Sequence, residues 1–159
     1  IEAAQLVRTL LNELELECFV KTTGGKGLHI VLPLRPVHTW GEVKAFSKGL
    51  ADHLVRLIPD RFTANMSKQK RKGKIYVDYL RNAKGATAIA AYSTRARTGA
   101  PVSMPLAWEE LSVDVRSDHF TVDNVVVRLN GLKQDPWRDY VSVKQKLTRK
   151  MHASLGMSS

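Results

Sequence analysis

The stretch that most constrains the fold is FVKTTGGKGLHIVLPL, residues 19–34, where two short apolar runs flank three glycines. The β-branched and aromatic residues of these runs are typical of strands. Because the glycines interrupt any helix, the sequence predicts a hairpin made of CFVKT and HIVLPL. A tight hairpin turn needs one or two glycines at most. The additional glycine, two threonines and a lysine indicate a loop against which an anion lies.

Apolar residues at helical spacing predict two helices, over residues 2–16 and 36–62. In the second, Thr39 and Glu42 have the spacing of a capping box, and Pro59 ends the helix. Shorter patterns predict strands at 74–80 and 87–93 paired as a second hairpin, a strand at 124–129, a helical turn at 108–111 and a closing helix at 136–151.

These elements predict an α+β fold with a mixed or antiparallel sheet and flanking helices. We expect a single domain over residues 1–150, because no linker is long enough to divide the chain. Residues 151–159 are expected to form a frayed tail.

The charge balance points to a polyanionic partner. Twenty-five Lys and Arg against fifteen Asp and Glu give a net charge of +10, and such an excess attracts nucleic acid or nucleotides. A basic solubilising surface is the alternative. The clustering of five cations in SKQKRKGK (67–74) and four in KQKLTRK (144–150) favours a binding role.

Several classes of protein are excluded or disfavoured by simple counts. The single cysteine, Cys18, excludes an internal disulfide and a cysteine-built zinc site. Apolar runs fall short of the roughly 20 residues that span a bilayer, and the N-terminus does not resemble a secretory leader. We therefore expect a cytoplasmic location and no membrane partner. The chain starts without Met inside a helical pattern, which suggests a fragment or a processed chain.

The glycine-rich loop has the residue types of a phosphate site. Gly24, Gly25 and Gly27 are expected to adopt positive φ and to turn backbone N–H groups toward a ligand. Thr22 and Thr23 supply hydroxyls, Lys26 an ammonium, and His29 opens the next strand. The spacing is not that of a Walker A loop, and a strand follows instead of a helix. A flexible hairpin with solvated cations and a structural histidine is the alternative.

Two further features fit an anion site. Asp78 lies in the apolar run YVDYL, where an unpaired carboxylate is costly to bury. It is expected to meet either an arginine, Arg95 or Arg97, or a divalent metal ion. Arg95 and Arg97 in YSTRARTG share one face of an extended chain and can clamp an anion. Together with the glycine loop, they favour a nucleoside triphosphate as ligand.

The motifs KTTGGKGLHIVLPL and ANMSKQKRKGKIYVDYLRNAKGATAIAAYSTRARTGAPVSMPLAWEEL resemble one family. Residues 3–150 are similar to the C-terminal two-thirds of the polymerase domain of bacterial ATP-dependent DNA ligase D, a member of the archaeo-eukaryotic primase superfamily. The resemblance implies a nucleotidyltransferase that extends or fills DNA ends in non-homologous end joining, with Mn²⁺ or Mg²⁺ and an NTP or dNTP.

The resemblance also assigns roles to residues. Asp78 matches the third catalytic, metal-binding carboxylate of the family. The residues matched to triphosphate binding are Thr23, Gly25, Lys26, His29, Arg81, Arg95 and Arg97, and those expected to bind nucleic acid are Lys68, Lys70, Arg71 and Lys72. Implied partners are DNA ends (primer-template or gapped DNA with a 5′-phosphate), the ligase and phosphoesterase domains of a parent chain, and bacterial Ku, at the nucleoid.

One departure from the family is important. Its first motif, an Asp-x-Asp pair that precedes the helix beginning here at residue 2, is absent; Asp114, Asp118 and Asp123 do not replace it. A two-metal site needs ions about 4 Å apart held by shared carboxylates, so the predicted site is incomplete and the chain alone is expected to be inactive. Two alternatives remain open: a non-catalytic basic module that binds nucleic acid, and a structural remnant that pairs with a partner carrying the missing strand.

Overall fold

The computed structural model describes residues 1–157, which group into two compact units. The first unit joins Ile1–Pro33 to Ile89–Lys144, and the second joins Leu34–Ala88 to the residues from Gln145 onward. The elements in chain order are α1 (Glu2–Glu13), β1 (Phe19–Thr22), β2 (Leu28–Val31), α2 (Trp40–Leu57), β3 (Phe62–Thr63), β4 (Ile75–Tyr76), β5 (Pro105–Leu106), α3 (Val125–Gly131) and α4 (Arg149–Ser154), with 3₁₀ turns at Gln69–Arg71 and Trp108–Glu110.

The first unit is built on the predicted hairpin. β1 pairs antiparallel with β2 on one side and with β5 on the other, giving the order β2–β1–β5. All four residues of β1 are buried because it is the central strand, and Val20 packs with Met104, Leu106 and Phe120 in the core. This antiparallel sheet with flanking helices confirms the predicted α+β class.

The second unit is organised by α2, whose start is the predicted capping box. The Glu42 backbone N–H donates to Thr39 Oγ1 (3.2 Å), and the Thr39 N–H donates to Glu42 Oε2 (2.7 Å). These two bonds satisfy donors that a helix start otherwise leaves unpaired. The helix ends at Leu57, two positions before Pro59, as predicted. β3 and β4 form a short parallel pair in this unit.

Three of the predicted strands differ from the structure. The strand expected at 74–80 is reduced to Ile75–Tyr76, and it pairs with β3 instead of with residues 87–93, which form no strand. The apolar run expected as a strand at 124–129 lies largely in α3. Contacts of Arg128 stabilise this helix, because its guanidinium pairs with Glu110 and lies 5.6 Å from the Phe120 ring centre. Such tertiary contacts override the strand propensity of consecutive valines.

The closing helix is shorter than predicted and begins at Arg149, because the preceding segment is held by its aromatic residues. The Trp137 indole N–H donates to the Val20 carbonyl (3.0 Å), and its ring stacks on Tyr140 at 5.2 Å. Both rings also contact Phe19 edge-on, so the 136–142 segment docks on β1 in turns. Within the expected tail, residues 151–154 belong to α4 and Leu155 is buried, whereas Ser158 and Ser159 lie outside the described residues.

None of the helices in the described part of the chain is long and apolar enough to cross a membrane.

Candidate functional site

The glycine-rich loop is stapled by Thr23. The Thr23 hydroxyl donates to the Gly27 carbonyl (2.7 Å) and accepts from the Gly25 N–H (3.1 Å). A neighbouring segment adds two bonds, from the Gly24 N–H to the Ser117 carbonyl (2.8 Å) and from Ser117 Oγ to the Gly25 carbonyl (2.7 Å). The loop is therefore a preformed structure and not a flexible connection.

This bonding corrects two expectations. Of the three loop glycines only Gly24 has a positive φ, at +61°. The N–H groups of Gly24 and Gly25 are engaged within the protein, and the Gly27 N–H points to the Thr23 hydroxyl at 3.4 Å. The N–H groups of the three glycines are therefore directed to partners within the protein, and the Thr23 side chain holds the loop in shape.

The guanidinium groups of Arg95 and Arg97 both lie close to the glycine-rich loop. Arg95 Nη1 donates to the Thr23 carbonyl (3.3 Å), so this guanidinium lies over the loop. A Cβ atom added at Gly25 would be 2.8 Å from Arg95 Nη1 and 3.7 Å from Arg97 Nη1. The Arg95 guanidinium thus occupies the space that a side chain at position 25 would fill, a contact that the sequence alone did not reveal.

A cleft of about 470 Å³ lies beside this junction. It is lined by Gly24, Gly25, Arg97, Thr98, Pro101 and Asp118. Backbone contacts hold its far wall, since the Arg95 N–H donates to the Pro101 carbonyl (2.8 Å) and Thr94 forms an isolated bridge with Val102. The size suits a polar group such as a phosphate chain, and Arg97 supplies positive charge inside it.

Sequence reasoning missed Ser117 and Asp118 as residues of this site. Asp118, which the sequence analysis considered only as a replacement for the missing Asp-x-Asp pair and rejected, lines the cleft, and its carboxylate lies 3.3 Å from Arg116 Nε. No local pattern signals such a position, because the fold brings the segment to the loop across some ninety intervening residues.

Lys26 lies within the loop, and His29 lies in the strand that follows it. Lys26 is exposed at the tip, and half-buried His29 lies in β2 directly opposite Lys21. The Lys21 side chain is buried, and its ammonium donates to the Ile89 carbonyl and to Ser103 Oγ (2.8 Å). Burial lowers the pKa of Lys21 to about 8. A lysine inside an apolar strand was the available signal for this residue.

Asp78 is not the buried strand carboxylate that the sequence predicts. It is exposed in the turn after β4, and its Oδ1 accepts from the Leu80 N–H (2.9 Å) and from the Tyr76 hydroxyl (3.4 Å). The strand ends early, so the carboxylate reaches water and needs no buried cation. Arg81 is exposed in the same turn region.

The residues present do not fit a two-ion metal site. Among residues 1–157, no group of three or more His, Cys, Asp or Glu side chains is arranged to hold a metal ion. Asp78 offers a single carboxylate, whereas two bridged ions require several shared ones.

The basic stretch 67–74 is a surface loop with one 3₁₀ turn, Gln69–Arg71. Lys68, Lys70 and Lys72 are exposed. Arg71 differs, since its guanidinium carbon lies 3.7 Å from the Tyr76 ring centre and its Nη2 donates to the Met66 carbonyl. The three lysines are thus available for phosphate contacts, while Arg71 has partners within the loop.

A sequence profile of the LigD primase-polymerase domain matches residues 1–137. The chain belongs to the LigD primase-polymerase domain family. It is 46% identical over 157 residues to the multifunctional non-homologous end joining protein LigD of Pseudomonas aeruginosa, covering 98% of this chain and 19% of that protein. It is 32% identical over 130 residues to the bifunctional LigD of Bacillus subtilis, covering 81% of this chain and 21% of that protein.

A solved structure supports the assignment to the LigD family. The polymerase domain from Mycobacterium tuberculosis ligase D, in complex with DNA, matches with a TM-score of 0.75 and 35% identity, over 81% of this chain and 45% of that one. The chain therefore spans about a fifth of these curated LigD proteins and less than half of the solved domain. The family resemblance expected from the motifs is confirmed.

Proposed function

We propose that this chain carries the triphosphate-binding part of a DNA-end polymerase of non-homologous end joining. In polymerase chemistry a primer 3′-hydroxyl attacks the α-phosphate of an NTP or dNTP, and pyrophosphate leaves. The triphosphate lies along the cleft beside the glycine loop. Lys26, His29, Arg95 and Arg97 balance its charge, which is how phosphoryl-type transfers are chiefly assisted.

The observation that carries the proposal is the seating of Arg95 over Gly25, with Arg97 in the adjacent cleft. Guanidinium groups bind phosphate oxygens in paired hydrogen bonds. Each hydrogen bond to a charged group contributes roughly 1.5–3 kcal/mol. Two guanidinium groups beside the hydrogen-bonded glycine loop therefore favour a phosphate chain over a single small anion.

The second proposed ligand is the DNA end itself, either a primer-template or a gapped duplex with a 5′-phosphate. The exposed lysines at 68, 70 and 72 are placed for backbone phosphate contacts, which are salt-sensitive and independent of sequence. The M. tuberculosis domain was solved with DNA, and we extend that ligand to this chain. Arg81 is proposed to assist at the active site.

Asp78 is proposed as one ligand of the Mn²⁺ or Mg²⁺ that the family implies. Since this sequence contains no Asp-x-Asp pair, the chain by itself should not extend a primer. A primer-extension assay with Mn²⁺ and NTPs should show no more product than the Asp78→Ala variant. Robust incorporation that depends on Asp78 would overturn this part of the proposal.

The wider setting is proposed from the resemblance to the LigD family, whose members are named as non-homologous end joining proteins. In a longer LigD protein this chain would work beside ligase and phosphoesterase domains, with bacterial Ku at broken ends in the nucleoid. Co-purification of the full-length protein with Ku on DNA ends tests this setting.

Reciprocal variants test the two ligand sites. Arg95→Ala should weaken ATP binding at least tenfold, because a charged contact is lost, and should leave DNA binding nearly unchanged. Replacing Lys68, Lys70 and Lys72 by serine should do the reverse and should flatten the dependence of DNA affinity on salt. Arg138→Ala, a change to an exposed arginine of the same unit, serves as the control.

The second candidate function is a non-catalytic module that binds nucleic acid, and the exposed lysines of the 67–74 loop favour it. Such a module would have no saturable affinity for ATP or inorganic tripolyphosphate. If only the lysine variant has an effect and ATP does not bind, this second function replaces the first.

A further inference from the structure

Lys21 is an unusual residue to find in the centre of a sheet. Its side chain is only 4% exposed, and the acceptors of its ammonium are the neutral Ile89 carbonyl and Ser103 hydroxyl. Burying a charge costs several kcal/mol unless partners compensate, and an apolar residue of similar size would usually be cheaper. Folding alone therefore gives a poor reason for a lysine here.

The two acceptors of Lys21 mark the two ends of the segment that carries the arginines. Ile89 opens residues 89–103 and Ser103 closes them, with Arg95 and Arg97 between. The ammonium of Lys21, on β1, is thus hydrogen-bonded to both ends of segment 89–103; we call this pair of bonds the clasp. Ser103 Oγ in turn donates to the Thr22 carbonyl (2.8 Å), which adds a second connection between this segment and β1.

The same strand leads directly into the glycine loop. Thr22 Oγ1 accepts from the Met104 N–H (2.9 Å) and donates to the Val102 carbonyl (3.2 Å), and the next residue is the loop staple Thr23. Lys21 also lies opposite His29 in the β1–β2 register, so both side chains are on one face of the sheet. One buried ammonium is therefore linked to both halves of the proposed anion site.

We infer that Lys21 is a positioning residue of the triphosphate site, whose ammonium clasps segment 89–103 and keeps Arg95 seated over Gly25. This inference rests on the proposed triphosphate function. Lys21 does not touch the substrate; it acts through Arg95. Its charge also strengthens both hydrogen bonds, since those from a charged donor are stronger than neutral ones.

If the charge of Lys21 positions Arg95, triphosphate affinity should depend on the protonation of Lys21. A purely structural role of its side chain would give no such pH dependence. The depressed pKa lets the ammonium lose its proton in mildly alkaline solution, which weakens the clasp. The residues opposite Lys21 in the sheet are the titratable His29 on β2 and the uncharged Pro105 on β5. On segment 89–103 the ammonium contacts two neutral groups, the Ile89 carbonyl and the Ser103 hydroxyl. If the wild type loses triphosphate affinity at alkaline pH and a variant without Lys21 does not, Lys21 is the source of the pH dependence.

The experiment measures binding of inorganic tripolyphosphate by calorimetry between pH 7 and pH 9.5. Lys21→Met keeps the volume and removes the charge, and Lys133→Met changes an exposed lysine of the same unit as the control. At pH 7, Lys21→Met should weaken binding at least tenfold, and the control should stay within twofold. From pH 7 to pH 9.5, the wild-type affinity should fall relative to that of Lys21→Met.

The outcomes separate this inference from the function on which it rests. If the wild type does not bind tripolyphosphate, the proposed function fails. If the wild type binds and Lys21→Met binds equally well with the same pH profile, the role of Lys21 is refuted. Should Lys21→Met not fold, Ser103→Ala removes one acceptor of the clasp and should weaken binding severalfold; unchanged affinity in that variant also refutes the inference.

Discussion

The substitution Gly25→Ala tests the junction of loop and arginine with a single methyl group. The added Cβ would lie 2.8 Å from Arg95 Nη1 and 3.3 Å from Thr23 Oγ1. Real Cβ atoms do not approach a nitrogen so closely, so the guanidinium must move away. The end of the Arg95 side chain is flexible, and Gly25 has no positive φ that alanine would strain. The free energy of unfolding should therefore change by less than about 1 kcal/mol, since alanine also makes the unfolded chain stiffer and so offsets part of the loss.

The expected loss in binding follows from the displaced guanidinium. One charged hydrogen-bonding contact contributes roughly 1.5–3 kcal/mol, which corresponds to a factor of roughly 10 to 100 in affinity. Gly27→Ala is the matched control, because a Cβ there would meet nothing within 4 Å. It should bind ATP within about twofold of the wild type by calorimetry, since no contact is lost.

A double-mutant cycle makes the mechanism explicit. In an Arg95→Ala background the Gly25→Ala change has no guanidinium to displace, so it should have almost no further effect on ATP affinity. Equal affinities for Gly25→Ala and Gly27→Ala, or fully additive losses in the cycle, would refute the reasoning.

Two further predictions concern stability. Thr39→Ala removes both hydrogen bonds of the Thr39 hydroxyl, the one it donates to Glu42 Oε2 and the one it accepts from the Glu42 N–H, and should lower the free energy of unfolding by about 1 kcal/mol in urea. Ser47→Ala, at a half-buried position in the middle of the same helix, removes only a bond to the Lys44 carbonyl and should change the free energy of unfolding by less than about 0.5 kcal/mol. Equal effects of the two changes would contradict the capping account. Lys21 has a folded-state pKa of about 8, below its ordinary 10.5, so the unfolded chain holds more protons in that window, and the unfolding free energy of the wild type should rise with pH relative to Lys21→Met. A flat difference between the two proteins from pH 8 to pH 10.5 would show that folding does not lower the pKa of Lys21.

The sequence identified elements whose determinants are local. The hairpin follows from alternating residue types around glycines, and α2 follows from a capping box and a proline, both read within a few positions. The type and spacing of the twin arginines also led to their grouping with the loop as one anion site, and in the structure Arg95 donates to the Thr23 carbonyl of that loop.

The errors arose where distant contacts decide the structure. The valines before Arg128 favour a strand in isolation, but the Glu110 carboxylate and the Phe120 ring hold them in a helix. Asp78 was expected to be buried because the length of its strand was overestimated, and the strand ends where its parallel partner ends. The bonds from Ser117 to the loop and from Lys21 to segment 89–103 join residues too far apart in sequence for any short pattern to reveal.

The central claim is that the glycine loop and the two arginines receive a triphosphate tail. The most direct measurement is a titration of the ¹⁵N-labelled chain with inorganic tripolyphosphate, followed through the backbone amide and arginine side-chain signals. We expect saturable shifts that are largest at residues 24–27 and at the Arg95 and Arg97 side chains. Shifts confined to the basic residues 67–74, or none that saturate, would contradict the claim.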